Sequence, residues 1–135
     1  MREILFRGKR KDSGEWIEGW YCGKTCIDPF GEAVESSQII ESKYLFWHEV
    51  VPETVGQYTG LTAKNGVKIF EGDIMEYVND DGTKAHYVVC VDGEMGSWVA
   101  SLIGSVANVP LGYAIKIFEV IGNRFDNPEL LEVNT

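Results

Sequence analysis

Cys22 and Cys26 are separated by three residues, and the only imidazoles that might join them are His48 and His86. A zinc ribbon is built from two close pairs of Cys or His, because four soft donors must converge tetrahedrally. This chain offers one loose pair. Cys90 lies in Val88-Val89-Cys90-Val91, where a thiol serves as a small apolar side chain of a strand. Cys22, on the same segment as Trp20, reads the same way. A zinc site on Cys22 and Cys26 is the lesser alternative, and no metal or other cofactor is expected.

The acids invite two further chemistries. Asn79-Asp80-Asp81-Gly82 has the composition of a calcium loop, but it lacks a bidentate Glu at the right offset and flanking helices. It reads as a hairpin turn. Glu71 and Asp73 flank Gly72, so a bend there would bring two carboxylates together. Glycoside hydrolysis needs such a pair in a long sugar cleft, which a small β domain rarely offers. Ser97, in Met95-Gly96-Ser97-Trp98, opens a strand and lacks the strand-turn-helix setting of a nucleophile elbow. A Cys–His pair would have to meet in space, which spacing alone does not arrange. No glycine-rich run precedes a lysine and a helix, so a phosphate loop is absent. No catalytic residue is assigned, and a non-enzymatic role is expected.

The elements that would position these groups are strands. At 135 residues the chain has ordinary single-domain length, and with 44% hydrophobic and 24% charged residues it is expected to fold. Residues 2–9 read as a first strand, with Ile4 and Phe6 on one face. Asp12-Ser13-Gly14 turns the chain, and Trp16 to Tyr21 returns to complete a hairpin. Asp28-Pro29-Phe30-Gly31 is a further turn. Residues 32–50 keep neither period cleanly and predict a loop with one or two short strands, or a helical turn. Pro52 ends that segment.

From Val55 on, turns and strands alternate tightly. Val55 to Leu61 is extended. Asn65-Gly66 tolerates positive φ at both positions, as a type I′ hairpin needs. Glu71-Gly72-Asp73 bends the chain into a strand from Ile74 to Val78. Asn79 to Thr83 turns it, Ala85 to Val91 returns, Asp92 to Gly96 turns again, and Ser97 to Ile103 follows. Residues 104–112 read as a loop and Tyr113 to Ile121 as a strand. Asn127-Pro128-Glu129 has the form of a helix start, with Asn as cap and Pro at the first position. The expected fold is mainly β: an N-terminal hairpin and irregular region over 1–54, then over 55–135 a small SH3-like barrel ending in a short helical turn.

The segment Gln57-Tyr58-Thr59-Gly60-Leu61, Lys64-Asn65-Gly66 and Ile69-Phe70-Glu71-Gly72-Asp73-Ile74 resembles the YopX protein family. So do the opening Arg2-Glu3-Ile4-Leu5-Phe6-Arg7 and the closing Glu119-Val120-Ile121-Gly122-Asn123 through Asn127-Pro128-Glu129-Leu130-Leu131. The resemblance spans nearly the whole chain as a single domain, 1–135. It implies a β-rich protein of bacteriophages and prophages and transfers no activity. The motif residues admit a structural reading. Gly60, Gly66 and Gly72 free the backbone at turns, Asn65 pairs with Gly66, and Asp73 accepts amide hydrogen bonds beside a bend. Tyr58 joins Ile69, Phe70 and Ile74 in a core. The competing reading has Tyr58, Glu71 and Asp73 lining a binding surface.

Charge narrows the partners. The chain carries −9 overall; residues 1–26 hold six basic and four acidic groups, while residues 27–135 hold six basic and seventeen acidic, a balance of −11. A body so charged repels a phosphate backbone, so nucleic acid is disfavoured as a partner. A local contact through Arg7, Lys9, Arg10 and Lys11 is the exception to weigh. The odd cysteine count, the absence of a signal-like apolar run at Met1 to Arg7 and the lack of a membrane-length segment suggest a reducing cytoplasm, which the resemblance implies is that of a bacterial host, with no membrane partner. A protein-binding or assembly module, with a protein partner or a homo-oligomer, is the leading expectation. Trp16, Trp20, Trp47 and Trp98 are its natural anchors, although a core role is expected for most of the four. The alternatives are an acidic DNA mimic that inhibits a host nucleic-acid enzyme, and a metal-assisted enzyme.

Overall fold

The computed structural model describes residues 3–27, 29–41 and 46–132. The chain forms two compact units, Met1–Tyr58 and Thr59–Thr135. Both are antiparallel and β-rich.

In the first unit, β1 (Phe6–Lys9), β2 (Trp16–Ile27), β3 (Ala33–Ile40) and β4 (Trp47–Glu49) pair in sequence, and β1 takes the start of β5 (Gly56–Thr62) on its other side. The Asp12-Ser13-Gly14 turn forms as read, with Gly14 N–H donating to Arg10 O at 2.9 Å. Of the turn at 28–31, Asp28 lies outside the described residues. So do Arg2 of the first strand expected over 2–9, which starts at Phe6, and 42–45 of the ambiguous stretch. That stretch is more regular than its spacing suggested: β3 is eight residues long. Its regularity comes from β2, which gives it eight register partners from Trp20 to Ile27.

Alternation along β2 sends Ile17 inward to Ile39 and Val50, with Phe6 and Val55 packed against them. An isolated bridge between Arg10 and Val50, flanked by Lys11 N–H to Glu49 O and Val51 N–H to Lys9 O, brings the end of β4 back against the end of β1. Thr54 braces that return. Its Oγ accepts from Lys9 N–H at 2.9 Å and donates to Val51 O at 2.6 Å. At Gly19 a Cβ would fall 2.0 Å from the Ile40 carbonyl oxygen, so no side chain fits there.

In the second unit, β5 runs on to Thr62 and turns into β6 (Lys68–Phe70). Next come β7 (Asp73–Val78), β8 (Lys84–Val91), β9 (Trp98–Leu102), β10 (Asn108–Pro110), α1 (Leu111–Ile117) and β11 (Glu119–Asn123), then a short 3-10 helix, Pro128–Leu131. Strands β7 to β11 form an open sheet in the order β10-β9-β8-β7-β11. Ile69, Met75, Val89, Ala100, Leu111, Ala114 and Phe118 make the core. The Phe118 ring stacks on Tyr87, centroids 4.5 Å apart. Fully burying such side chains contributes about 1.5–3 kcal/mol each.

Two expectations are corrected here. Residues 113–121 are not one strand, and the 104–112 loop contains β10 and the start of the helix. Pro110, with no amide to donate, closes β10, and Leu111, Ala114 and Phe118 then recur at helical spacing on the buried side while Tyr113 and Ile117 are exposed. The SH3-like barrel does not close either. Among the described residues β10 and β11 are opposite edges of the sheet, and α1 packs against β9 and β10. A helix on the sheet face buries the apolar side without joining the edges. No helix of the described residues is long and apolar enough to cross a membrane.

Candidate functional site

The motif segment is built for folding. Gln57 pairs with Phe6, and Tyr58 donates its N–H to Leu5 O at 2.8 Å. Thr59 is 2% exposed; its Oγ donates to Ile69 O at 2.8 Å and accepts from Leu61 N–H at 3.2 Å. Gly60 has φ +86°. The next turn is centred one residue earlier than the sequence suggested. Gly66 N–H donates to Ala63 O and Ala63 N–H to Val67 O, so the chain turns over Lys64-Asn65 and Gly66 carries the positive φ. Such a three-residue loop is the next choice after a type I′ turn. Asn65 Oδ1 accepts from Val67 N–H.

At the bend, Gly72 has φ +91°, and a Cβ on it would sit 3.2 Å from the Phe125 ring. Its N–H donates to Val89 O, and its own carbonyl accepts from Arg124 N–H. Asp73 Oδ2 accepts from Phe70 N–H at 2.8 Å, with the residue 3% exposed. Tyr58 at 8% exposure is nearly as hidden. Neither presents the binding surface considered for them together with half-buried Glu71.

The closing motif is a second knot. Asn123 Oδ1 accepts from Phe125 and Asp126 N–H, and Asn127 Oδ1 accepts from Asn123 N–H at 3.2 Å. Asn127 therefore does not cap the helix that follows, as its sequence context implied; its side chain is turned back.

The chemical candidates do not assemble. Among the described residues no group of three or more His, Cys, Asp or Glu is placed to hold a metal. Burial raises the Cys90 thiol above its usual range, and the charges of Glu71 and Asp92 raise it further. It is therefore held as a neutral thiol. Cys22 is a half-buried free thiol, and the side chain of Cys26 lies outside the described residues. His86 Nε2 lies 3.0 Å from Glu76 Oε2, its cross-strand neighbour. His48 Nε2 is 3.2 Å from Glu41 Oε1, an ion-pair distance without the alignment of a hydrogen bond. Asp81 Oδ1 accepts from the Thr83 N–H and hydroxyl, which lowers its pKa. That loop spends its acid on its own turn.

Two surfaces stand out among the described residues. One is a cleft of about 250 Å³ lined by Ala63, Lys64, Asn65, Phe118, Glu119 and Val120. It is below the range of about 300–1,000 Å³ typical of ligand pockets. The other is the outer face of the first unit. Trp20 lies directly across from Ile40, and Ile40 across from Trp47, on three adjacent strands. Trp20 is 50% and Trp47 53% exposed. On the same side of β2, Trp16 carries the Arg7 guanidinium 4.7 Å and the Lys9 ammonium 5.4 Å from its ring centre. Trp98, by contrast, packs against the core of the second unit.

Fold and surfaces together define a small, two-unit β protein whose recognisable residues are spent on turns and bends. The family model described as YopX protein matches residues 5–132, and the chain belongs to that family. Protein EF1440 from Enterococcus faecalis is similar over 98% of this chain and 100% of that one, at 22% identity and a TM-score of 0.56. Protein yopX from Bacillus subtilis is similar over the full length of both chains, at 17% identity and a TM-score of 0.50. These likenesses concern the fold. No curated protein matches the chain.

Proposed function

We propose that this is a phage or prophage protein that works without catalysis, as a protein-binding or assembly module in the cytoplasm of a bacterial host. The observation that carries the reading is the row Trp20–Ile40–Trp47, aromatic and apolar across three paired strands, with Trp20 and Trp47 half exposed. Aromatic anchors supply much of the binding energy at protein interfaces, because each removes a large apolar area from water with few rotors to freeze. The origin rests on what the sequence resemblance implies of the YopX family, to which the chain belongs.

The DNA-mimic reading gains less. Asp80 and Asp81 stand in the turn before β8, and Asp92 and Glu94 in the turn after it, so these acids occupy opposite ends of one strand instead of forming a line.

Affinity capture from host cells tests the proposal, with the wild type compared with a Trp20→Ser/Trp47→Ser double variant. The wild type is expected to retain a defined protein that the variant loses while its circular dichroism is unchanged. Equal capture by both would overturn the reading.

A further inference from the structure

We infer that the β11 edge of the second unit's sheet takes an extended peptide segment of a partner protein, in which an apolar residue is followed by a basic one. The site belongs to the second unit and uses none of the residues of the Trp20–Ile40–Trp47 face.

Among the described residues β10 and β11 are the outer strands of the sheet. β10 is three residues long and ends in Pro110, which has no amide to offer. The far half of β11 is closed by the chain itself. The register slips between Val120 and Gly122, Asn127 Oδ1 takes the Asn123 N–H, and a Cβ on Gly122 would lie 2.3 Å from that same oxygen. The near half runs extended from Phe118, with φ −102° and ψ 156°. Among the described residues no strand pairs with Glu119 or Val120 on the side away from β7. Such an edge offers main-chain donors and acceptors to an added strand.

The cleft of about 250 Å³ lies beside this near half. Phe118, Glu119 and Val120 line it from the edge, and Ala63, Lys64 and Asn65 from the β5–β6 turn. Too small for most whole ligands, it has room for one side chain. Directly opposed residues of paired strands send their side chains to the same face. Val120 packs against the core, opposite Met75. A residue added across from Val120 therefore points to the cleft side, toward Ala63 and Phe118.

Charge sets the neighbour. Glu119 lies across from Glu76, and Glu76 across from His86, so the three form a row on the other face. Glu76 already has His86 at 3.0 Å and Lys84 at 4.0 Å. Glu119 is exposed and has no ion pair among the described residues. A base added across from Glu119 completes the row. Lys64, at the cleft, disfavours a base on that side and leaves it to the apolar residue. Every pairing in this sheet is antiparallel. In an added antiparallel strand the residue across from Glu119 follows the one across from Val120, so the base follows the apolar residue.

Fluorescence anisotropy with a dye-labelled, capped peptide, Thr-Val-Thr-Leu-Arg-Val-Thr, tests the site. The wild type is expected to bind it about fivefold more tightly than Thr-Val-Arg-Leu-Thr-Val-Thr, the scale of one cross-strand ion pair. Glu119→Lys should weaken the first peptide about fivefold and strengthen one with Glu in place of Arg. Lys64→Trp, which fills the cleft from its exposed rim, should weaken it at least about tenfold, the scale of one buried apolar side chain. Alternate amides of a strand point to opposite sides. Methylating the Leu and Val amides, or instead the Thr and Arg amides, should therefore abolish binding in one case only. Unchanged circular dichroism shows that each variant has folded. A wild type that binds no peptide at millimolar concentration would overturn the inference. So would equal loss from both methylation patterns, equal binding of the two Arg peptides, or binding unaffected by Lys64→Trp. The Trp20→Ser/Trp47→Ser variant is expected to bind the peptide as the wild type does. Loss of the peptide there would assign it to the aromatic face and overturn the β11 site, while leaving the binding role of that face standing.

Discussion

The segment that identifies the family and the face that suggests a role differ in what they do with their side chains. From Thr59 to Asp73 the side chains are turned into backbone: Thr59 serves Ile69 and Leu61, Asn65 serves Val67, Asp73 serves Phe70. On the outer face of the first unit Trp20 and Trp47 are half exposed, and their strands would pair the same way without them. Substitutions should therefore separate the two. Those in the motif should cost stability, and those on the face should cost partner capture.

The largest loss is expected at Phe118, on which the helix, Tyr77 and Tyr87 converge. Phe118→Ala should cost about 3–5 kcal/mol in denaturant unfolding. Gly72→Ala comes next, at about 1–3 kcal/mol for a strained φ, with the Phe125 ring obliged to move as well. Asp73→Ala leaves the buried Phe70 N–H without this acceptor and should cost about 1–3 kcal/mol. If Asp73→Ala proved neutral in unfolding, the contrast between the two regions would fail. Trp20→Ser should stay within about 0.5 kcal/mol of wild type in the same assay while partner capture is lost.

The smallest effects are titrations. Thr83 holds the Asp81 carboxyl below its ordinary value in the folded state. A lowered carboxyl stabilises above its unfolded pKa, and that contribution fades as pH falls through the folded value. Asp81→Asn should therefore lower stability slightly at neutral pH, leave it nearly unchanged in strong acid, and so flatten the acid limb of a pH–stability curve. Cys90, raised by burial, should alkylate more slowly in the native protein than in the unfolded chain at pH 8, as mass spectrometry would show.

How far the sequence could be read follows from the range of the interactions. The turns at Gly14, Gly82 and Gly96 form where they were expected, because each is closed by bonds a few residues apart. Turn centring was harder: at Asn65-Gly66 the two-residue and three-residue loops share the same residues and differ only in register. The helix at 111–117 was missed because Tyr113, Ile115 and Ile117 imitate a strand. The weaker signal was Leu111, Ala114 and Phe118 at helical spacing after Pro110. Asn127 carried a local capping signature, but a bond to Asn123 took its side chain. On the face, alternation around Ile17 marks Trp16 and Trp20 as sharing one side of β2. Nothing local marks Trp47 as their neighbour, because that depends on two long-range registers.

By itself the sequence determined a mainly β protein of the YopX family, with the turns at Gly14, Gly82 and Gly96 in place, since those rest on glycine, asparagine and aspartate acting within a few bonds. Only the tertiary structure decided that the sheet of the second unit stays open under a helix, and that Trp20, Ile40 and Trp47 form one half-exposed row. Each of these depends on which strand pairs with which and in what register. That choice is made by burial across distant parts of the chain, where no local pattern reaches.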